Sequence, residues 1–151
     1  MKPTILVAPL DWGLGHATRC IPIIREMVIR GYEVEIAGSG KAGLLLLQEF
    51  PSLIYHEIPG YGISYPRHGK FFMLKMLLQL PWILFAIQKE HKWLQEKQRT
   101  QKWDIIISDN RYGFWLQGKK TIILTHQLRI KSGWGDSVDS IIQRFHYKLI
   151  D

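Results

Sequence analysis

His16 follows two glycines near the start of the chain, in the stretch PLDWGLGHATR that covers residues 9–19. Gly13 and Gly15 are one residue apart, and glycine permits a positive φ or a close approach of the backbone to a ligand. A helix that begins after such a turn offers free N–H groups and a positive dipole end, which suit a phosphate. The motif predicts either a phosphate-binding turn that presents a histidine or a plain tight turn between a strand and a helix.

A second polar stretch, SDNRYG at residues 108–113, follows an apolar run. It supplies Asp109, Asn110 and Arg111. Asn110 and Arg111 are candidates to bind hydroxyl or phosphate groups of a substrate, and a solvated Arg111 is the simpler alternative. For Asp109, the simpler alternative is that it caps a helix beginning at Asn110.

Two further candidates, His126 and Gln127, come at or just after the end of the last apolar run, where a structural histidine is an equally good interpretation. The basic, glycine-rich loop at 128–137 contains Trp134 and is a candidate flap over a bound substrate. The other histidines lack the spacing of metal ligands, so the sequence predicts no metal site. They are His56, His68, His91 and His146.

Strand-like and helix-like segments alternate along the chain, as apolar runs and apolar residues at helical spacing indicate. A loop rich in Gly, Tyr and Pro covers residues 59–70. The predicted strands are 4–9, 33–38, 53–58, 104–109 and 121–126, and the predicted helices are 18–30, 41–50, 71–102 and 137–150.

This alternation, with nearly continuous apolar strands, predicts an α/β fold: a Rossmann-like, doubly wound parallel sheet of strand order 3-2-1-4-5. In that order the first and fourth strands are neighbours, and ligands bind where the loops leave their carboxyl ends. We therefore expect His16 and Asp109 to meet at one crevice, although they are far apart in the sequence.

Composition limits the class of protein. At 151 residues and 46% apolar, the chain is long enough for one domain with its own core. A single cysteine, Cys20, excludes an internal disulfide, and the amino terminus lacks the apolar core of a signal peptide, so we expect a cytoplasmic protein. The net charge of +7 favours an anionic partner or reflects only a soluble basic surface.

Two common nucleotide-binding motifs fit poorly. Counting G-x-G-x-x-G from Gly13 places Thr18 at the third glycine, and the second strand ends in AGSG without an acidic residue for a ribose. A Walker loop is absent, because no glycine precedes a Lys-Ser or Lys-Thr pair. Nicotinamide-dependent and nucleotide-hydrolase functions are therefore disfavoured.

The chain resembles the amino-terminal half of GT-B glycosyltransferases, in the branch of the peptidoglycan lipid-intermediate transferase and the UDP-glycosyltransferases. The matching stretches are ILVAPLDWGLGHATRCIPIIREMVIRGYEVEIAGSG, WDIIISDNRYG and TIILTHQ, which cover most of the chain in the right order. The resemblance implies two Rossmann-like domains facing across a cleft. Residues 1–151 would then be the acceptor-binding domain, and a carboxyl-terminal domain would hold most of the nucleotide-sugar donor.

The resemblance also implies roles for individual residues. His16 corresponds to a histidine that acts as general base on an acceptor hydroxyl in several inverting members, and Asp109 to its acidic partner in some of them. A neutral imidazole can take that proton, and a carboxylate can fix its tautomer. The structural alternative is a His16 that only hydrogen-bonds the backbone. Gly13, Gly15, Asn110, Arg111, His126 and Gln127 would bind substrate.

The resemblance implies hexosyl transfer from a nucleotide sugar, such as a UDP-sugar, to an acceptor hydroxyl on a lipid-linked or cell-envelope saccharide, with no cofactor or metal. Since such a family continues into a second domain, we expect either a longer protein or a half-enzyme with a separate partner chain, and an isolated chain that transfers sugar poorly. A nucleotide-sugar epimerase half and a non-catalytic basic binding module are the alternatives. Nucleic acid is not an expected partner.

The stretch at 71–102 is strongly apolar at first and then basic. Lys75 and Pro81 interrupt the apolar part, so a membrane-spanning helix is not expected. A core helix on the sheet is the structural interpretation. The functional one is peripheral contact with the inner face of a membrane, through an apolar face flanked by lysines.

Overall fold

A computed structural model of the chain describes residues 2–61, 72–125, 139–140 and 143–144. Five parallel strands form one sheet in the order β3-β2-β1-β4-β5, which confirms the predicted order. The strands are β1 (Thr4–Pro9), β2 (Glu33–Gly38), β3 (Ile54–Glu57), β4 (Ile105–Asp109) and β5 (Lys120–Leu124).

Three helices connect these strands: α1 (Leu14–Ile29), α2 (Gly40–Glu49) and α3 (Phe72–Gln101). Helix α1 begins four residues before the predicted start at Thr18. Its N-cap is Gly13, whose φ of +85° lies in the region that favours glycine. Gly15 and His16 therefore lie in the first turn of the helix and not in the loop before it.

Each face of the sheet has its own apolar core, because successive residues of a strand point to opposite faces. Ile107 of β4 packs with Cys20 and Ile24 of α1 on one face. Ile106 packs on the other face with Leu94 of α3 and with the buried ring of Trp103. Residue 109 therefore faces α1, as residue 107 does.

The earlier and the later turns of helix α3 differ in burial. Its later turns bury Leu94 and Glu90 against the protein, whereas Leu78, Trp82 and Phe85 are exposed. In the part of the chain that the structure describes, no helix is long and apolar enough to cross a membrane.

Some predicted boundaries differ from the observed ones. Strand β3 is shorter than predicted at both ends, and β5 ends at Leu124. His126, Gln127, the loop at 128–137 and most of the predicted helix at 137–150 lie outside the described residues; residues 139–140 and 143–144 are helical.

Candidate active site

Asp109 is the last residue of β4 and lies at the carboxyl edge of the sheet. Its Cα is paired with Pro9 on one side and with Leu124 on the other. Its backbone carbonyl accepts a hydrogen bond of 2.9 Å from the N–H of Leu10, so the chain leaving β1 is held against it. The side chain is fully buried, and a carboxylate in that position requires charged or hydrogen-bonding partners.

Those partners come from one face of helix α1. His16, Arg19 and Cys20 are three and four residues apart, a spacing that places side chains on the same side of a helix. All three contact the Asp109 carboxylate. We call these four residues the Asp109 cluster.

Short distances join the side chains of the Asp109 cluster. His16 Nδ1 lies 3.2 Å from Asp109 Oδ1. Arg19 donates from Nε to Oδ2 at 3.1 Å and from Nη2 to Oδ1 at 2.8 Å. The same Nη2 lies 2.8 Å from His16 Nδ1. The structure thus brings His16 and Asp109 together, and His16 contacts side chains and not only the backbone.

Cys20 completes the cluster as a neutral thiol. Its Sγ lies 3.9 Å from Asp109 Oδ2, and the side chain is buried. Burial, followed by the negative charge of Asp109, raises the pKa of the thiol to about 12. The thiol is therefore protonated at neutral pH and serves as a weak donor to the carboxylate.

Asn110 follows Asp109 in a left-handed conformation, with φ of +56°. Its N–H donates to the Leu124 carbonyl at 3.1 Å, and turns and irregular backbone follow it up to β5. The alternative in which Asp109 caps a helix at Asn110 is therefore wrong. Asn110 is buried, and within the described residues its Oδ1 has no hydrogen-bond partner.

Arg111 lies on the opposite face of the sheet from the Asp109 cluster. The alternative of a solvated Arg111 is wrong, because its side chain is fully buried. It pairs with Glu90 of α3 and donates to Ser39 Oγ at 2.9 Å and to the Pro9 carbonyl at 2.7 Å. The guanidinium that the sequence suggested for a substrate is thus bound to groups of the protein itself.

Glu90 is also shared with Tyr61, whose hydroxyl donates to Oε2 at 2.7 Å. We call Arg111, Glu90, Ser39 and Tyr61 the Arg111 cluster. Burial raises the pKa of Glu90 to about 7, and the charge of Arg111 only partly opposes this shift. Helix α3 comes so close here that a Cβ at Gly113 would overlap the Ile87 carbonyl and the Glu90 Cβ.

The two glycines of the motif lie beside the Asp109 cluster and are exposed to solvent. Gly13 caps α1 without a side-chain hydrogen bond to the helix, and the Gly15 carbonyl accepts a hydrogen bond from Thr18 Oγ1 at 3.1 Å. Both are placed where a ligand could reach the first turn of α1. Among the described residues, no group of three or more His, Cys, Asp and Glu side chains is arranged to hold a metal ion.

Sequence reasoning missed the charged partners of Asp109 and Arg111, which are Arg19 and Glu90. Arg19 could have been found only with the helix starting at Leu14 and not at Thr18, because a residue three positions after His16 then shares its face of the helix. Glu90 lies among other charged residues of a long helix, and nothing in the sequence sets it apart from them.

Comparisons with known proteins bear on the fold. No protein-family model matches the chain, and no curated protein matches it significantly. The crystal structure of the glycotransferase of kitacinnamycin matches with a TM-score of 0.62 and 15% identity, over 97% of this chain and 36% of that one. SsfS6, a glycosyltransferase of Streptomyces sp. SF2575, matches with a TM-score of 0.46 and 16% identity, over 71% of this chain and 33% of that one.

The carboxyl-terminal domain of the PF1911 hydrogenase of Pyrococcus furiosus also matches, with a TM-score of 0.47 and 14% identity, over 73% of this chain and 76% of that one. The chain spans about a third of the length of the two glycosyltransferase structures. At these identities the likeness concerns the fold, and fold alone does not determine function. By fold, the chain is a Rossmann-like α/β domain of the kind found in GT-B glycosyltransferases.

Proposed function

We propose that this chain is the acceptor-side domain of a glycosyltransferase, which moves a hexosyl group from a nucleotide sugar to an acceptor hydroxyl. The observation that carries the proposal is the distance of 3.2 Å between His16 Nδ1 and Asp109 Oδ1 at the carboxyl edge of the sheet. This edge is where open α/β folds bind their ligands. The shared fold with the glycotransferase of kitacinnamycin adds support.

In the proposed reaction His16 is the general base. Its Nδ1–H donates to Asp109, and its Nε2 takes the proton of the acceptor hydroxyl as that oxygen attacks the sugar. Asp109 fixes the tautomer and stabilises the imidazolium that forms, and it does not itself become protonated. The nucleotide diphosphate leaves with the electron pair of the broken glycosidic bond.

The substrate groups of the proposal surround this pair. We assign the exposed turn of Gly13 and Gly15 to substrate contacts, together with Asn110, whose Oδ1 has no hydrogen-bond partner in the described part of the chain. His126 and Gln127 keep their predicted contact with substrate. The proposed donor is a UDP-linked hexose, and the proposed acceptor is a lipid-linked or cell-envelope saccharide. Because the chain spans 36% of the matched glycotransferase, a donor-binding domain, in cis or on a separate chain, completes the proposed enzyme.

An assay of nucleotide release tests the proposal. The protein, with its donor-binding domain, is incubated with UDP- and GDP-sugars with and without candidate acceptors. Release that depends on the acceptor supports transfer, whereas an isomerised donor without any acceptor supports an epimerase and contradicts transfer. His16→Gln should lower kcat by about 10²- to 10⁴-fold, the usual contribution of a general base.

The matched control for His16→Gln is His91→Gln, on the side of α3 that carries a stacked Trp115 ring. This histidine lies in another part of the protein, so its replacement should leave kcat unchanged. Equal activity of the His16 and His91 variants would contradict the proposed base.

We also propose that helix α3 contacts an anionic membrane surface. Leu78, Trp82 and Phe85 are exposed at helical spacing, and the Lys89 ammonium lies 5.2 Å from the centre of the Phe85 ring. An apolar helical face with lysines beside it binds the headgroup region of anionic lipids.

Sedimentation with vesicles tests the membrane contact. The protein should pellet with vesicles that contain phosphatidylglycerol at low salt, and the double variant Leu78→Gln/Phe85→Gln should stay in the supernatant. The control is Leu44→Gln, which removes an exposed leucine from α2. If the wild-type protein stays in the supernatant, the contact does not exist.

A further inference from the structure

Arg19 lies between the two members of the proposed catalytic pair. Its guanidinium forms two hydrogen bonds with the Asp109 carboxylate, and its Nη2 also contacts His16 Nδ1 at 2.8 Å. The side chain of Arg19 is 35% exposed, whereas those of His16 and Asp109 are 11% and 0% exposed. The side chain of Arg19 is thus the most exposed of the three.

Proton positions follow from the chemistry of arginine. A guanidinium has five N–H donors and no acceptor, and it stays protonated in proteins. At 2.8 Å from Arg19 Nη2, the His16 Nδ1 must therefore accept a hydrogen bond through its lone pair. A neutral imidazole that accepts at Nδ1 carries its proton on Nε2.

That tautomer is the opposite of the one the proposed reaction uses. To donate to Asp109, Nδ1 must carry the proton, and only then does Nε2 have a lone pair for an acceptor hydroxyl. One ring nitrogen cannot accept from Arg19 and donate to Asp109 at the same time. The two arrangements of the Asp109 cluster therefore exclude each other.

We propose that Arg19 is a positioning residue that selects the tautomer of His16. While the Arg19 guanidinium is bound to Asp109, His16 holds its proton on Nε2, so Nε2 cannot act as a base. When the guanidinium turns toward solvent, Nε2 releases its proton to water, Nδ1 takes up a proton and donates it in a hydrogen bond to Asp109, and Nε2 then carries the lone pair. The assignment of the tautomer stands on geometry, and its catalytic consequence rests on the proposed function.

Nitrogen NMR of the histidine rings measures directly which ring nitrogen of His16 carries the proton. The chain has six histidines, and protein labelled with ¹⁵N-histidine should give one ring pattern for each, with His16 assigned by its loss in His16→Gln. In the range of pH where the ring is neutral, wild-type His16 should show the Nε2–H pattern. Arg19→Met keeps much of the side-chain stem and removes the guanidinium, so the pattern should change to Nδ1–H.

The control is Arg25→Met, which removes another arginine of α1, paired at the surface with Glu49. Its His16 pattern should match that of the wild type. Arg19→Leu provides a second variant if the Met variant does not fold, since both remove a partly exposed side chain. An Nδ1–H pattern in the wild type, or an Nε2–H pattern that persists without Arg19, overturns the proposal.

Activity separates this proposal from the proposed function. If His16→Gln keeps full transferase activity while the ring pattern depends on Arg19, the general base is wrong and the role of Arg19 in fixing the tautomer stands. If His16→Gln is inactive and the ring pattern does not respond to Arg19, the base stands and the role of Arg19 is wrong.

Discussion

Two charged clusters lie near the end of β4, on opposite faces of the sheet. They differ in how deeply the arginine side chain of each is buried. In the Asp109 cluster, Arg19 is 35% exposed and contacts His16 and Asp109. In the Arg111 cluster, the side chain of Arg111 is 0% exposed. Although Asp109 and Arg111 are only two residues apart in the sequence, the clusters have different capacities for movement.

The origin of the partners explains this difference. The contacts of Arg19 with His16 and Asp109 join α1 to β4, and because its side chain is 35% exposed, a rotation of that side chain can rearrange them. Arg111 instead binds Glu90 of α3, Ser39 before α2 and the carbonyl of Pro9 at the end of β1. Movement of Arg111 would break contacts with three segments at once. In the proposed function the first cluster performs the chemistry, and the contacts of the second hold together the three segments around it.

The largest expected effect on stability comes from removing the guanidinium of the fully buried Arg111. Arg111→Met leaves the Glu90 carboxylate buried without its charged partner, which costs about 3–5 kcal/mol in other proteins. We expect a loss of this size in the free energy of unfolding, measured by urea denaturation. Arg25→Met, which removes an exposed pair with Glu49, should cost less than about 1 kcal/mol. Equal losses for the two variants would contradict the comparison.

The next largest effect is the pH dependence of protein stability that Glu90 of the Arg111 cluster causes. Burial raises the pKa of Glu90 from 4.5 to about 7, so between these values the folded protein binds a proton that the unfolded chain releases. The contribution of Glu90 to stability is therefore lost as the pH rises from about 4.5 to about 7, by ~3 kcal/mol at full effect. Glu90→Gln should flatten this slope in urea denaturation at several pH values.

The matched control for the pH dependence is Glu96→Gln. Glu96 lies on the same helix, exposed, with Lys92 as its partner. Its replacement should keep the slope of the wild type. A Glu90 variant with the wild-type slope would show that another group controls stability in this range of pH.

The sequence predicts most of the architecture for a physical reason. Continuous apolar strands that alternate with helical spacing leave few topologies, and right-handed crossovers reduce them to the observed order. That order alone is sufficient to predict that His16 and Asp109 meet. The predicted start of α1 is too late because Gly13, at a φ of +85°, begins a helix without the side-chain cap that marks most helix starts.

The partners of the buried charges are much harder to predict. Whether Arg111 faces solvent or Glu90 depends on how closely α3 approaches the loop after β4, and that distance is set by packing over many residues. Gly113 permits the approach, but glycine is common in turns that no helix approaches, so its presence does not predict the contact. Arg19 differs, because its position on the His16 face of α1 follows from helical spacing once the helix is known to begin at Leu14.

The smallest expected effect is on the reactivity of the Cys20 thiol in the Asp109 cluster. Burial is the first cause of the pKa of about 12 at Cys20, and the charge of Asp109 is second. Cys20 in the native protein should therefore react slowly with iodoacetamide at neutral pH, where few thiols are ionised. Asp109→Asn removes this charge and changes the hydrogen bond between the thiol and Asp109, but it keeps the burial, so we expect the rate to increase by less than about tenfold, equivalent to one pKa unit. Glu26→Gln, which removes an exposed carboxylate of α1, should leave the rate unchanged. An increase far above tenfold, at an unchanged free energy of unfolding, would mean that the charge of Asp109 and not burial protects the thiol, and that this cluster is more open than its contacts indicate.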